Sequence, residues 1–395
     1  MRQRVVIDWA ISSFFGWGVY GLNLALQWSN DPDIEALTSV PVVPGDISVD
    51  PIQRLALGPF LALSQTLQGV LPPFGAARCH LECPVLTDID LGPTLFDHRI
   101  SGHPTIGIVF LASAQVGPEA IARARSLPVI VAGSYWNARI LHEYGLDNVV
   151  TILQGVDPTL FHPSTATGWL RDRFCVFSGG KLEYRKAQDI VVAAFRVFAN
   201  RHKEALLVTA WHSQWDGLAR MLDASGLIGP VRFHPDGRVD VAAWAAENGV
   251  DRTQVLDLGA LPNREMPAVL REMDVAVFPN RCEGGTNLVA MECMACGLPV
   301  ILSRNTGHLD LIEEENCFPL DQQTALDGYR AGVGTVPGWG ESSVEEVVEQ
   351  LERVFIDRSN ARRRGQLAAE SMARLTWRHT ADRLKRLILD FGPQS

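Results

Sequence analysis

The sequence predicts an α/β protein with two doubly wound, parallel-sheet halves facing a cleft. Three observations carry this expectation: a length of 395 residues, short apolar runs alternating with helical periodicity along both halves, and a stretch rich in Pro, Ser, Thr and Gly at 161–168 (FHPSTATG) that divides them. At about 150 residues per domain the length suits two or three domains, each able to bury its own core. Apolar residues at 47%, charged residues at 20% and the lack of low-complexity tracts exclude a largely disordered or fibrous chain. The formal charge of −10, from 45 acidic against 35 basic side chains, disfavours nucleic acid as a partner.

The elements follow in order. Residues 4–11 (RVVIDWAI) read as a strand, and Val19, Leu22 and Leu26 at helical spacing read as the helix after it. Further strands are expected at 105–111, 128–132 and 148–153, with helices at 118–125 and 137–144 between them. Repeated βα units imply a parallel sheet covered on both faces. After the divide, strands at 174–178, 205–210, 255–258, 275–279 and 299–303 alternate with helices such as 187–201 and 264–273, a second Rossmann-like unit. Residues 343–390 read as helical throughout, with Arg362 to Arg364 on a solvated face.

The uncharged stretch 9–30 is long enough to span a membrane, but Ser12, Ser13, Gly16, Gly18, Gly21, Asn23 and Gln27 interrupt it. No targeting segment is expected. Seven scattered cysteines form no disulfide framework and fit a reducing cytoplasm. Cys293 and Cys296 make a C-x-x-C, but in a helical run without a second pair, which reads as buried thiols.

Chemistry concentrates in two segments. The chain has only four lysines, and Lys181 and Lys186 lie together in 177–189 (FSGGKLEYRKAQD), where a strand ends in a Gly-Gly turn at Gly180. Ammonium groups flanking such a turn suit a phosphate, which the glycines let the backbone approach. The second segment, 280–297 (NRCEGGTNLVAMECMACG), feeds a Gly284-Gly285 loop into a helix, with Thr286 as a fitting N-cap. Free N–H groups near Thr286, Asn287 and Leu288 would make an anion site for a diphosphate. Glu292, between one and two turns into the helix, is placed to reach an adjoining ribose. Glu283, on the loop, is placed to accept hydrogen bonds from sugar hydroxyls.

At these residues the sequence resembles the family 4 glycosyltransferases of the GT-B fold. Gly180, Lys181, Leu182, Lys186 and Ala187 match the spacing of that family's G-R-L and K-G motif, with Lys for Arg and Ala for Gly as departures. Eight residues separate Glu283 from Glu292, where the family has seven. Residues 154–163 (QGVDPTLFHP), Gly307 and Trp377 agree as well, so the resemblance runs from about residue 130 to the end. It implies an acceptor-binding domain over 1–165, a nucleotide-sugar-binding domain over 168–376, and residues 377–395 packing back on the first. It also implies retaining transfer of a hexose-type sugar from a nucleoside diphosphate sugar to a hydroxyl acceptor, with no obligatory metal or other cofactor. Lys181, Lys186 and Glu283 would act at the reacting centre; Gly180, Gly284, Gly285, Thr286, Asn287, Leu288 and Glu292 would hold the donor, with Gly16 and Gly18 facing it from the first domain.

Other features of the sequence point elsewhere. Gly16, Gly18 and Gly21 spell G-x-G-x-x-G, which would suit an NAD(P)-dependent oxidoreductase, but Ser12 to Phe15 separate them from the strand. A catalytically silent nucleotide-sugar-binding protein is the third reading. Asp88 and Asp90 form a D-x-D, too few ligands for a metal site. His98 and His103 lie near the family's first-domain histidine, and Ser134 and Asn137 follow a strand and are cleft candidates, Ser134 alternatively capping its helix. The first domain has no lysine and is net acidic, which disfavours an anionic membrane on that face, while the basic C-terminal helices leave a peripheral contact open.

Overall fold

The structure is a computed structural model, and it describes residues 2–72, 78–89, 91, 100–326 and 328–391. Strands β1 (Gln3–Asp8), β2 (Ile34–Thr38), β3 (Val85–Asp88), β4 (Thr105–Val109), β5 (Val129–Ala132) and β6 (Val149–Thr151) form one sheet in the order β2-β1-β3-β4-β5-β6. Strands β7 (Phe174–Gly179), β8 (Ala205–Ala210), β9 (Val255–Asp257), β10 (Val275–Phe278), β11 (Val300–Ser303) and β12 (Phe318–Leu320) form the other, in the order β9-β8-β7-β10-β11-β12. Every pairing within both sheets is parallel. Buried on both faces, the strands are near-continuous apolar runs such as VILS in β11.

Helices α1 (Gly16–Trp28), α2 (Pro51–Val70), α3 (Pro118–Ser126) and α4 (Tyr135–Glu143) cover the first sheet. The uncharged 9–30 stretch is thus a loop followed by α1, whose Val19, Leu22 and Leu24 are core residues. Among the described residues no helix is long and apolar enough to cross a membrane. The sequence reading passed over α2, although Asp50 caps it, accepting from the Ile52 and Gln53 N–H groups, and Pro51 opens it.

The second sheet is covered by α5 (Gln188–Arg201), α6 (Val241–Glu247), α7 (Met266–Leu270), α8 (Leu288–Ala295), α9 (Val344–Ile356) and α10 (Arg358–Met372). Helix α11 (Trp377–Asp390) crosses back: Trp377, Ala381, Leu384 and Ile388 join the core of the first sheet, and Trp377 stacks on Tyr20 at 5.4 Å. Lys385 fixes its far end through Asp31 (2.8 Å) and Asp33 (2.7 Å). The outgoing and returning connections meet where Val156 bridges Thr376.

Candidate functional site

In an open parallel sheet, ligands collect beyond the carboxyl ends of the strands where the strand order reverses. In the second sheet that point lies between β7 and β10. The loops leaving these strands face the first domain across a cavity of about 820 Å³, whose walls include Gly180, Lys186 and Glu283 on one side and Gly16, Asp46 and Phe110 on the other.

Past Gly180 the chain turns through a short 3-10 segment, Tyr184–Lys186, and Ala187 in the left-handed region (φ 57°) starts α5. This turn aims two cations at one carboxylate: Lys186 Nζ lies 2.5 Å from Glu283 Oε1 and Arg185 donates to Glu283 Oε2 at 2.8 Å. Asn280 donates to the same carboxylate. Arg185 also donates to Glu183 (2.5 Å), and Lys181 pairs with Glu183 at 3.3 Å with its ammonium 5.5 Å from the Trp215 ring centre. Burial alone would raise the Glu283 carboxyl, but Lys186 and then Arg185 hold it at about 2. Burial likewise pulls the Lys186 ammonium below its ordinary value, with Glu283 opposing. Three cations against two carboxylates leave this wall with one excess positive charge, suited to an anionic ligand.

The N-cap of α8 is Asn287, not Thr286: Asn287 sits at φ 64°, and its side-chain Oδ1 accepts from the Ala290 N–H. Asn tolerates this left-handed conformation, which the β-branched Thr avoids. Thr286 is buried beside the Met291 sulfur and is not part of the cavity wall, whereas Asn287 and Leu288 are. The Asn287 amide donates to His308 Nε2 (3.0 Å), and His308 Nδ1 meets the Ser303 hydroxyl (3.0 Å). Burial lowers the imidazole to about 4, so it is neutral and acts as a brace. Glu292 lies in the wall with its carboxyl accepting from Asn263 Nδ2 (2.5 Å), and burial pushes it up to about 8.

The Gly284-Gly285 loop is clamped from both sides. Ser134 donates to the Gly284 carbonyl from the first domain (2.7 Å), and Gly307 donates to the Glu283 carbonyl (3.0 Å). A Cβ on Gly307 would stand 1.8 Å from the Gly285 oxygen, so only glycine fits there.

Several sequence expectations are corrected in the first domain. Gly16 opens α1 at the cavity, but Gly18 does not line it: a Cβ there would meet Ser12 Cβ at 2.6 Å, so it is a packing glycine. Ser134 and Asn137 do not face the cavity either. Ser134 caps α4 and touches the Gly284 carbonyl, while Asn137 exchanges hydrogen bonds with the Leu111 backbone (2.8 and 3.1 Å). His103 lies in the turn before β4, away from the cavity wall, and His98 and Asp90 lie outside the described residues. Asp88 ends β3. Among the described residues no three His, Cys, Asp or Glu side chains gather as a metal-ligand set. Cys293 and Cys296 are buried free thiols.

The reading missed Arg185, His212, Trp215, Asn263, Asp46 and Phe110, all in the wall. Arg185 stands inside the lysine segment already singled out. His212, Trp215 and Asn263 lie in loops leaving β8 and β9, which the parallel topology directs to the same edge. His212 is itself held by Asp257 (2.7 Å), and that hydrogen bond raises its imidazole above the ordinary value.

A family profile described as Family 4 Glycosyltransferase in conflict systems matches residues 250–384. The D-inositol 3-phosphate glycosyltransferase of Saccharomonospora viridis is 24% identical over 253 residues, covering 62% of this chain and 50% of that protein. The protein of the same name from Stackebrandtia nassauensis is 27% identical over 247 residues, covering 60% and 48%. The chain therefore spans about half the length of these curated relatives. Among solved structures, sucrose-phosphate synthase from Thermosynechococcus elongatus superposes with a TM-score of 0.64 at 15% identity, covering 98% of this chain and 99% of that one. The Anabaena protein HepE in complex with UDP-glucose does so with a TM-score of 0.62 at 13% identity, covering 98% and 100%. The family 4 glycosyltransferase profile thus matches the second half of the second domain, residues 250–384, and over nearly its whole length the chain has the GT-B fold of these solved structures.

Proposed function

We propose that the protein is a retaining glycosyltransferase that moves a hexose-type sugar from a nucleoside diphosphate sugar to a hydroxyl acceptor. One observation carries this reading: Lys181, Arg185, Lys186 and the start of α8 meet at the switch point of the second sheet, opposite the start of α1, across one cavity. The diphosphate would lie between these two helix starts, where N–H groups and cations stabilise the charge that develops as the glycosidic bond breaks. The Glu283 carboxylate, held ionised by Lys186 and Arg185, accepts from sugar hydroxyls and keeps the two cations in place. Glu292 and Asn263 are set to take the ribose. UDP-glucose in the HepE complex supports a nucleotide-sugar donor.

The test is a melting-temperature screen with UDP, GDP, ADP, NAD and NADP, followed by mass-spectrometric detection of transfer from the matching nucleotide sugar. A ligand at a hundred times its dissociation constant adds about 2.7 kcal/mol of stability. Stabilisation by one nucleoside diphosphate, abolished in a Lys181→Ala, Lys186→Ala variant, is the expected result. Stabilisation by NAD or NADP alone would overturn the reading.

A further inference from the structure

Resting on that reading, we propose that the acceptor is a hydroxyl compound without anionic groups, seated on an aromatic wall of the first domain and selected by the Asp46 carboxylate. The two walls of the cavity differ in chemistry. The basic side chains in the wall, Lys181, Arg185, Lys186 and His212, come from the second domain, and each pairs with a carboxylate of that domain: Glu183, Glu283 or Asp257. The first domain presents the rings of Phe14, Phe15, Trp17 and Phe110 together with Asp46, and among its described residues in the wall there is no Lys, Arg or His.

The rings meet in two pairs along the cavity. Trp17 meets Phe110 edge to face at 4.8 Å, and Phe15 meets Trp215 across the cleft in the same manner at 5.7 Å. Aromatic faces of this kind receive the apolar faces of sugars and rings, and they attract cations.

Asp46 is positioned rather than incidental. Its carbonyl accepts from the Ser13 N–H (2.8 Å) and the Ser12 hydroxyl (3.2 Å), and Ser13 is tied in turn to Ser48, accepting from its N–H at 2.9 Å. The Ser13 carbonyl accepts from the Asn263 N–H of the second domain (2.8 Å), so the turn is registered against the donor side. The Asp46 carboxylate itself has no hydrogen bond or ion pair within the described chain, leaving its acceptor capacity for a ligand. A hydroxyl or ammonium satisfies it; a phosphate or carboxylate would meet like charge with no cation among the described residues of that wall to offset it.

The experiment compares transfer to matched acceptors, namely glucose, glucosamine and glucose 6-phosphate, and inositol with inositol 3-phosphate, in wild type and in Asp46→Asn. The expected result is kcat/KM at least tenfold higher for the neutral and amino members than for the phosphorylated ones, with Asp46→Asn shrinking that ratio severalfold while the melting shift with the donor nucleotide is retained. Preference for the phosphorylated members, an unchanged ratio in Asp46→Asn, or no transfer to any neutral or amino member overturns the proposal. Failure of the transfer reading itself is told apart by the nucleotide: a protein that neither binds nor hydrolyses any nucleotide sugar refutes both.

Discussion

The Glu292 carboxyl gives a quantitative handle on the site. It is 5% exposed, lies on α8 with one hydrogen bond from Asn263, and burial raises it from 4.5 to about 8. The unfolded chain loses this proton near pH 4.5, whereas the folded chain keeps it to about pH 8. In that window the folded state holds the extra proton, so stability falls as pH rises, by about 1.4 kcal/mol per pH unit. Across the window the loss amounts to about 5 kcal/mol, and above pH 8 it is complete. Glu292→Gln keeps the shape and the bond from Asn263 but cannot ionise, so this slope should vanish. Urea denaturation of wild type and variant at half-unit steps from pH 5 to 9 reads the effect as the difference between two curves, which cancels the other titrating groups. Asp310, raised to about 6 by burial, is one of these. The variant should become the more stable of the two as pH rises toward 8. Parallel curves would refute the reasoning.

Lys186 and Glu283 should behave as a coupled pair: Lys186→Met removes one cation from a buried carboxylate and should cost about 3–5 kcal/mol, while the added Glu283→Gln should restore much of it, as a double-mutant cycle in urea will show. Gly307→Ala forces the Gly285 carbonyl aside, so it should lower the melting temperature and weaken nucleotide binding together, measured by calorimetry. Trp339→Ala removes a buried ring that donates to the Ala112 carbonyl at 2.7 Å; a loss of about 3–5 kcal/mol is expected, with a larger radius of gyration in small-angle scattering as the domains part.

What was legible in the sequence follows from how local each signal is. Strands such as β8 and β11 stood out because a buried parallel strand is an apolar string, and α5 because its core face repeats at helical spacing. Helix α2 was passed over for a different reason: Ile52 and Leu55 on its outer face are exposed, which blurs the periodicity, although the Asp50, Pro51 and Gln53 signature was present. The cap of α8 turned on a conformation, φ 64° at Asn287, that favours Asn over its neighbour. The ion pairing of Glu283 was not legible, since Arg185 and Lys186 stand 98 and 97 residues away in the chain and only the topology joins them. The first-domain wall was legible only as letters: Gly18, expected to face the donor, packs on Ser12, and Asn137, a cleft candidate, bonds to the Leu111 backbone.

The two domains meet through an apolar cluster rather than only across the ligand cavity. Leu326, Val336 and Trp339 of the second domain share one core with Leu111, Val116, Trp136 and Leu141 of the first, and Tyr184 lies in the same cluster, stacked near Trp339 at 6.2 Å. Tyr184 sits under the Arg281 guanidinium, which is bound by Asp189 and Glu341, and the Arg281 N–H donates to the Arg185 carbonyl. The contact surface with the first domain is therefore continuous, through packed side chains and backbone hydrogen bonds, with the turn that carries Arg185 and Lys186. Domains joined only by polar contacts of about 1 kcal/mol each would be free to separate. Here separation also wets the Trp339 site, so the closed arrangement is favoured before any ligand arrives, and a diphosphate touching both walls adds only the difference in its affinity for the two forms.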